Sequence, residues 1–175
     1  RTQRMLASMA GISQSNVKSA NLTDRQWDKI AKQTKNMNDL NIFVDDTPNI
    51  SPMEIRAKSR RLAKQFRNSG GLNLVVIDYI QLMQMPGRNE NRVNELSDIS
   101  RSLKYLAKEV KAPVIVLSQL NRGVEQRPNK RPQMSDLRDS GAIEQDADLI
   151  FMLYRDFIYT KNEEWKNVAE LNLVK

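Results

Sequence analysis

The sequence predicts an α/β fold in which a mostly parallel sheet is flanked by helices. Three observations carry that prediction. Apolar runs of strand length recur at residues 72–77, interrupted only by Asn73, and at 114–117 and 149–153. Segments with helical periodicity separate them, most clearly 91–111. The apolar runs are continuous rather than alternating, which suits strands covered on both faces by helices. Strands separated by helices make βαβ units, and hence an α/β sheet.

Each element has a local reason. Residues 2–21 read as helical with a break near Gly11, and residues 42–44 as a short strand. Thr23 and Gln26 can form a capping box ahead of Trp27, Ile30 and Ala31. Ser51, Pro52 and Glu54 supply an N-cap, a proline at the first helical position and an acid at the third. That helix carries Ile55, Leu62 and Phe66 on one side and stops at Gly70-Gly71. In 91–111, Leu96, Ile99, Leu103, Leu106 and Val110 step by 3, 4, 3, 4 and make one apolar stripe. Residues 157–167 read as a polar connection and 170–174 as a further strand. The chain opens on Arg1 rather than Met and closes inside a strand-like stretch, which predicts a piece of a longer protein.

Composition removes whole classes of chemistry. The 175 residues include no Cys and no His. Disulfide frameworks, thiolate nucleophiles, Ser-His-Asp triads and His- or Cys-based metal sites are excluded. Any metal must be a hard cation held by oxygen. No apolar run approaches the roughly 18 residues of a membrane span, so no membrane partner is expected. The formal charge is +7, compatible with an anionic partner and equally with ordinary solubility. Residues 1–70 hold 13 Lys+Arg against 6 Asp+Glu, and residues 71–175 hold 15 of each, so the whole excess lies in the first part. Six of those cations crowd one helix: Arg56, Lys58, Arg60, Arg61, Lys64 and Arg67. A solvated helix face is the favoured reading over a binding patch.

In parallel α/β sheets ligands gather at the carboxyl ends of the strands. After Leu74-Val75-Val76-Ile77 comes Asp78, the Walker B pattern of a strand-tip carboxylate that holds Mg²⁺. Strands also end in Asp to cap turns, and the pattern alone fits both. After 114–117 come Ser118 and Gln119. An amide there can sense a γ-phosphate or orient water, or simply hold a loop. Ser118 has no basic partner nearby in sequence and is not read as a nucleophile. The long connection from Leu120 to Gly141 is rich in Arg, Lys and Pro, and such lengths are usually functional or disordered. Amides around Ser140-Gly141, opening a short helix, could bind phosphate. GxxxxGK[ST] does not occur, since none of the six glycines precedes Lys.

Together these residues resemble the DnaB-type replicative DNA helicase family. Val75-Val76-Ile77-Asp78-Tyr79-Ile80-Gln81-Leu82-Met83 resembles its Walker B segment, and Leu117-Ser118-Gln119-Leu120-Asn121-Arg122 its third helicase motif. Lys130-Arg131-Pro132, residues 135–148 and Tyr154-Arg155-Asp156 are similar to its fourth, and the flanking segments match over essentially the whole chain. The resemblance implies part of a single RecA-like C-terminal motor domain over 1–175, truncated at both ends and lacking the P-loop strand and helix. It implies a cytoplasmic, ATP- and Mg²⁺-dependent homohexamer moving 5′ to 3′ on single-stranded DNA, with primase and a helicase loader as partners. Asp78 would coordinate Mg²⁺, Gln119 would sense the γ-phosphate, and Lys175 would reach a neighbouring subunit's ATP. Arg138, Asp139 and Gly141 would occupy the DNA loop, and residues 85–92 the other loop facing the channel. The family usually has Glu where this chain has Asp139, which suits a backbone contact better than a side-chain one. The chain alone is expected not to hydrolyse ATP. A strand-exchange recombinase and a non-catalytic assembly or DNA-binding module are the rival readings.

Overall fold

The computed structural model describes residues 2–87, 91–137 and 141–175. The chain divides into two compact units, residues 1–46 and 47–175.

The first unit is helical: α1 (Thr2–Ala10), α2 (Gln14–Ser19) and α3 (Asp24–Asn38). The break predicted near Gly11 is there, with Gly11 at φ 63° and Ser13 capping α2 through the Asn16 N–H. Thr23 and Gln26 form the predicted capping box, each side chain accepting from the other's backbone N–H. Ala7, Ala10 and Ile12 are its buried apolar residues. Residues 42–44 form no strand, and Ile42, Phe43 and Val44 are 47–64% exposed. A three-residue apolar run becomes a strand only within a ladder, and none of the ladders among the described residues includes it.

The second unit begins with α4 (Pro52–Gln65). Ser51 caps it by accepting the Glu54 N–H at 3.2 Å, and Glu54 returns the bond from the Ser51 N–H at 2.9 Å. Gly70 and Gly71 then take φ of 93° and 77°, and a Cβ at either would meet nothing within 4 Å. What these positions require is a left-handed backbone rather than empty space.

Next come β1 (Val75–Ile77), α5 (Arg92–Val110) and β2 (Val114–Val116). β1 and β2 are parallel, with Val75 opposite Val114 and Ile77 opposite Val116. This is the predicted βαβ unit. The α5 stripe supplies Leu96, Ile99, Leu103 and Leu106 to a core completed by Ile77, Ile80 and Met83. Ile99 is fully buried. Side chains of this size each contribute about 1.5–3 kcal/mol when buried. Asn91 caps α5 through the N–H groups of Val93 and Asn94, and Lys111 ends it at φ 53°.

The chain continues through α6 (Gly141–Asp146), β3 (Phe151–Tyr154), α7 (Phe157–Thr160) and β4 (Glu170–Leu173). β3 and β4 pair antiparallel. The segment expected to be a polar connection between them includes one short helix, α7. α4 and α6 both pack on α5.

Burial on both strand faces, expected from the apolar runs, is not found. Val76, Ile115, Phe151 and Leu153 are 52–63% exposed. α5 covers one face of β1 and β2, and among the described residues the opposite face has no covering layer. Continuous apolar runs therefore mark strands with two faces to bury, and only one of those faces is buried here.

Candidate functional site

The parallel register brings β1 and β2 out at the same edge. The last ladder bond runs from the Leu117 N–H to the Ile77 carbonyl at 2.9 Å, and the Ile80 N–H then donates to the Leu117 carbonyl at 3.0 Å. Asp78 follows β1 directly, and Gln119 lies three residues past the end of β2. Both are exposed. Neither side chain makes a hydrogen bond or ion pair with any described residue, although the backbone around both is tied down. Asp78 is joined to Tyr79 by a cis peptide bond.

The tying groups were not singled out from the sequence. The Gln81 side chain accepts the Gln119 N–H at 3.2 Å. It donates to Ser118 Oγ at 3.0 Å and to the Gln119 carbonyl at 3.4 Å. Arg92, in the first turn of α5, donates to the carbonyls of Gln81 at 2.8 Å and Met83 at 3.1 Å, and to Glu95. Glu95, 8% exposed, accepts the Met85 N–H at 2.7 Å. Burial pushes the Glu95 carboxyl up, but the Met85 N–H and the Arg92 guanidinium outweigh it and hold the carboxyl below its usual range. An Arg and a Glu three positions apart at a helix start were the available signal. Their partners across the strand tip are tertiary.

The long connection after Gln119 is a closed structure. Leu120 and Leu137 form an antiparallel bridge at its neck, and the Asn121 N–H donates to the Asp136 carbonyl at 2.7 Å. Inside, Arg127 takes both oxygens of Asp136, at 3.0 and 2.6 Å, and the Gln133 N–H adds a third bond. Arg131 takes both oxygens of Glu170 on β4, at 3.0 and 2.6 Å, and stacks 4.6 Å from the Tyr154 ring. Hydrogen bonding to Arg131 holds the Glu170 carboxyl below its usual range against the desolvation that raises it. Lys130 donates to the Glu125 carbonyl at 2.8 Å. Three cations of this connection therefore have partners within the protein.

Gly141 is exposed and opens α6. Arg138 and Asp139 lie outside the described residues. Lys175 donates to the carbonyls of Glu144 and Gln145 near the other end of α6, at 2.5 and 3.3 Å. The structure therefore pairs Asp78 with Gln119 at one edge and joins Gly141 to Lys175 through α6. On α4, Arg56 and Arg60 both bind Glu109 of α5, and Lys58 donates to Thr47 at 3.0 Å. Three of the six cations read as a solvated helix face therefore have partners within the protein.

Two parallel strands joined through a helix, presenting an acid and an amide at one edge, are an α/β unit of the kind that the resemblance to a RecA-like core implies. Comparison with known proteins narrows this. The chain belongs to the DnaB-like helicase C-terminal domain family, which matches residues 1–175. It is 49% identical over 173 residues to the replicative DNA helicase DnaC of Bacillus subtilis, covering 98% of this chain and 37% of that protein. It is 48% identical over 176 residues to the replicative DNA helicase DnaB of Haemophilus influenzae, covering 98% of this chain and 36% of that protein. The chain thus spans little more than a third of these relatives. Among solved structures, an ATPase domain superposes with a TM-score of 0.89 at 39% identity, covering 99% of this chain and 61% of that one. A DnaB-like replicative helicase studied for its interactions with primase superposes at 0.88 and 40% identity, covering 97% of this chain and 40% of that one.

Proposed function

We propose that this chain is the motor core of a replicative DNA helicase, an ATP-driven homohexameric ring that moves 5′ to 3′ on single-stranded DNA. The observation that carries the reading is the pair Asp78 and Gln119: two unengaged polar side chains on tied backbone at one strand edge, in a chain of this family. The rival readings, a recombinase or a non-catalytic module, have no comparable support.

Asp78 fits a Mg²⁺ ligand. It is a hard oxygen donor, exposed and without a protein partner among the described residues, on a strand that fixes its position. Mg²⁺ commonly takes one or two carboxylates and fills its remaining positions with phosphate and water. No group of three or more acids among the described residues could form a cage by itself, so the ion would arrive with nucleotide. ATP with Mg²⁺ supplies the phosphoryl group whose transfer drives the motor.

The chain's own contributions are positional. Asp78 holds charge at the strand edge, and Gln119 presents its amide where a γ-phosphate would lie. Arg138, Asp139 and Gly141 grip DNA phosphate, through one guanidinium and backbone amides. Such contacts carry no base information, so binding is non-specific and salt-sensitive. Lys175 reaches a neighbouring subunit's nucleotide, which requires it to leave the α6 carbonyls. The 175 residues contain no GxxxxGK[ST], so residues beyond them complete the ATP site and the chain alone does not turn ATP over. A primase partner is supported by the relative studied with primase. A loader and a cytoplasmic location follow from the replication role, and no described helix is long and apolar enough to cross a membrane.

The test uses the complete protein. Asp78→Ala should abolish ATP hydrolysis with an unchanged circular dichroism spectrum. Arg138→Ala should weaken single-strand binding and DNA-stimulated hydrolysis together. Normal turnover by the first variant, or normal binding and stimulation by the second, would overturn the corresponding assignment. Robust hydrolysis by the isolated 175 residues would overturn the claim of incompleteness.

A further inference from the structure

The parallel ladder of β1 and β2 ends before Gln119. Beyond it the two strand ends are joined by a side chain. Gln81 uses both ends of its amide on the Gln119 backbone: its Oε1 accepts the Gln119 N–H at 3.2 Å, and its Nε2 donates to the Gln119 carbonyl at 3.4 Å. The same Nε2 donates to Ser118 Oγ at 3.0 Å. The side chain thus stands in for a further ladder rung, while the Gln119 side chain stays unengaged by the described residues. Gln81 is itself held, because its carbonyl accepts Arg92 Nη2 at 2.8 Å and Arg92 is paired with buried Glu95.

We propose that Gln81 is a positioning residue. It fixes the Gln119 backbone relative to the strand that carries Asp78, and so sets where the Gln119 amide meets the nucleotide. This rests on reading Gln119 as the γ-phosphate sensor. A side chain that touches only backbone and a hydroxyl can act on the reaction only through the group it holds. A hydrogen-bonding amide of this length is required: Met keeps the bulk and loses all three bonds, and Asn keeps the chemistry but is one methylene too short to reach. Misplacing a reacting or sensing group by about an ångström typically costs tenfold or more in rate without abolishing binding.

The experiment is steady-state DNA-stimulated ATPase of the complete hexameric protein, with Gln81→Met, Gln81→Asn, Gln119→Ala and each double variant. Gln81→Met and Gln81→Asn should each lower kcat about tenfold with KM for ATP within about twofold of the parent. Added to Gln119→Ala, either should cause no further loss, because the group it positions is already gone. Losses that multiply in the double variants, or a rise in KM with kcat unchanged, would overturn the proposal and leave the sensor reading standing. If Gln119→Ala alone leaves kcat unchanged, the sensor reading fails and the proposal falls with it. If Gln81→Met does not assemble, Gln81→Asn decides: wild-type kcat from it overturns the proposal.

Discussion

β1–β2 and β3–β4 are both two-stranded and both bear apolar side chains on each face, yet they are held in different ways. β1–β2 lies under α5, and its inward residues join a core in which Ile80, Met83 and Ile99 are at most 1% exposed. β3–β4 buries Met152 and Tyr154 on one face, at 2% and 7% exposed, while Phe151, Leu153, Leu171 and Leu173 stand 52–63% exposed on the other. Polar clamps supplement its ladder: Arg131 on Glu170, and Tyr154 stacked 5.6 Å from Tyr159. One pair is stabilised chiefly by its own core. Each pair leaves one apolar face open, with Val76 and Ile115 of β1–β2 at 55% and 52% exposed, so the two differ in what lies under the covered face. In a chain spanning little more than a third of its relatives, that contrast separates what the segment can stabilise alone from what it shares.

The sharpest way to break this comparison is to truncate both regions. Ile99→Ala should destabilise the chain by roughly 2–5 kcal/mol in chemical denaturation. Leu153→Ala should change stability by less than about 0.5 kcal/mol in the same 175 residues. Equal costs would remove the distinction. A larger cost for Leu153→Ala in the complete protein would sharpen it, showing that the open face is covered there.

The next effect concerns the long connection. Asp136 is 7% exposed and holds Arg127, the Gln133 N–H and, through its carbonyl, the loop neck. Asp136→Ala would leave a partly buried guanidinium without its carboxylate, at a cost of roughly 1–3 kcal/mol. Amide exchange should rise at Asn121 and Leu137, and unchanged protection there would show that the neck is held by other means.

Glu95 gives a pH test. Its carboxyl lies below the usual range when folded, so the folded state binds its proton less readily than the unfolded chain does. The stability it contributes is complete above the unfolded value of about 4.3 and is lost as pH falls through the folded value. Glu95→Gln should flatten that acid limb of the stability curve. The same acid dependence in parent and variant would place the titration elsewhere.

The smallest effect belongs to the exposed clamp. Glu170→Gln should produce a slight loss of thermal stability that shrinks further with added salt, since exposed ion pairs are screened. A large, salt-independent loss would mean that β3–β4 depends on this clamp as β1–β2 depends on its core.

Much of this is legible in the sequence because it is local. The 3, 4, 3, 4 spacing from Leu96 to Val110 marks the face α5 buries, and the Ser51 and Thr23 capping boxes each lie within four residues. Asp78 and Gln119 are legible as polar residues ending apolar runs. Residues 42–44 read as a strand and form none, because apolar composition says that a segment can pair and not that a partner is present. The richness of the long connection in Arg and Lys does not reveal their engagement: Arg127, Lys130 and Arg131 bind Asp136, the Glu125 carbonyl and Glu170 within the protein.

By itself the sequence determined the chemistry open to this protein. Lacking Cys and His, it is confined to oxygen ligands, and its periodicities set which faces of its helices seek cover. Only the tertiary structure decided which strand face stays open and which side chains are free to act. Gln81 lies 38 positions from Gln119, and Arg92 lies 11 from the carbonyl it holds. Hydrogen bonds of a few ångströms between such residues exist only once the parallel register has aligned the two strand ends. That alignment leaves Asp78 and Gln119 unengaged on a tied edge.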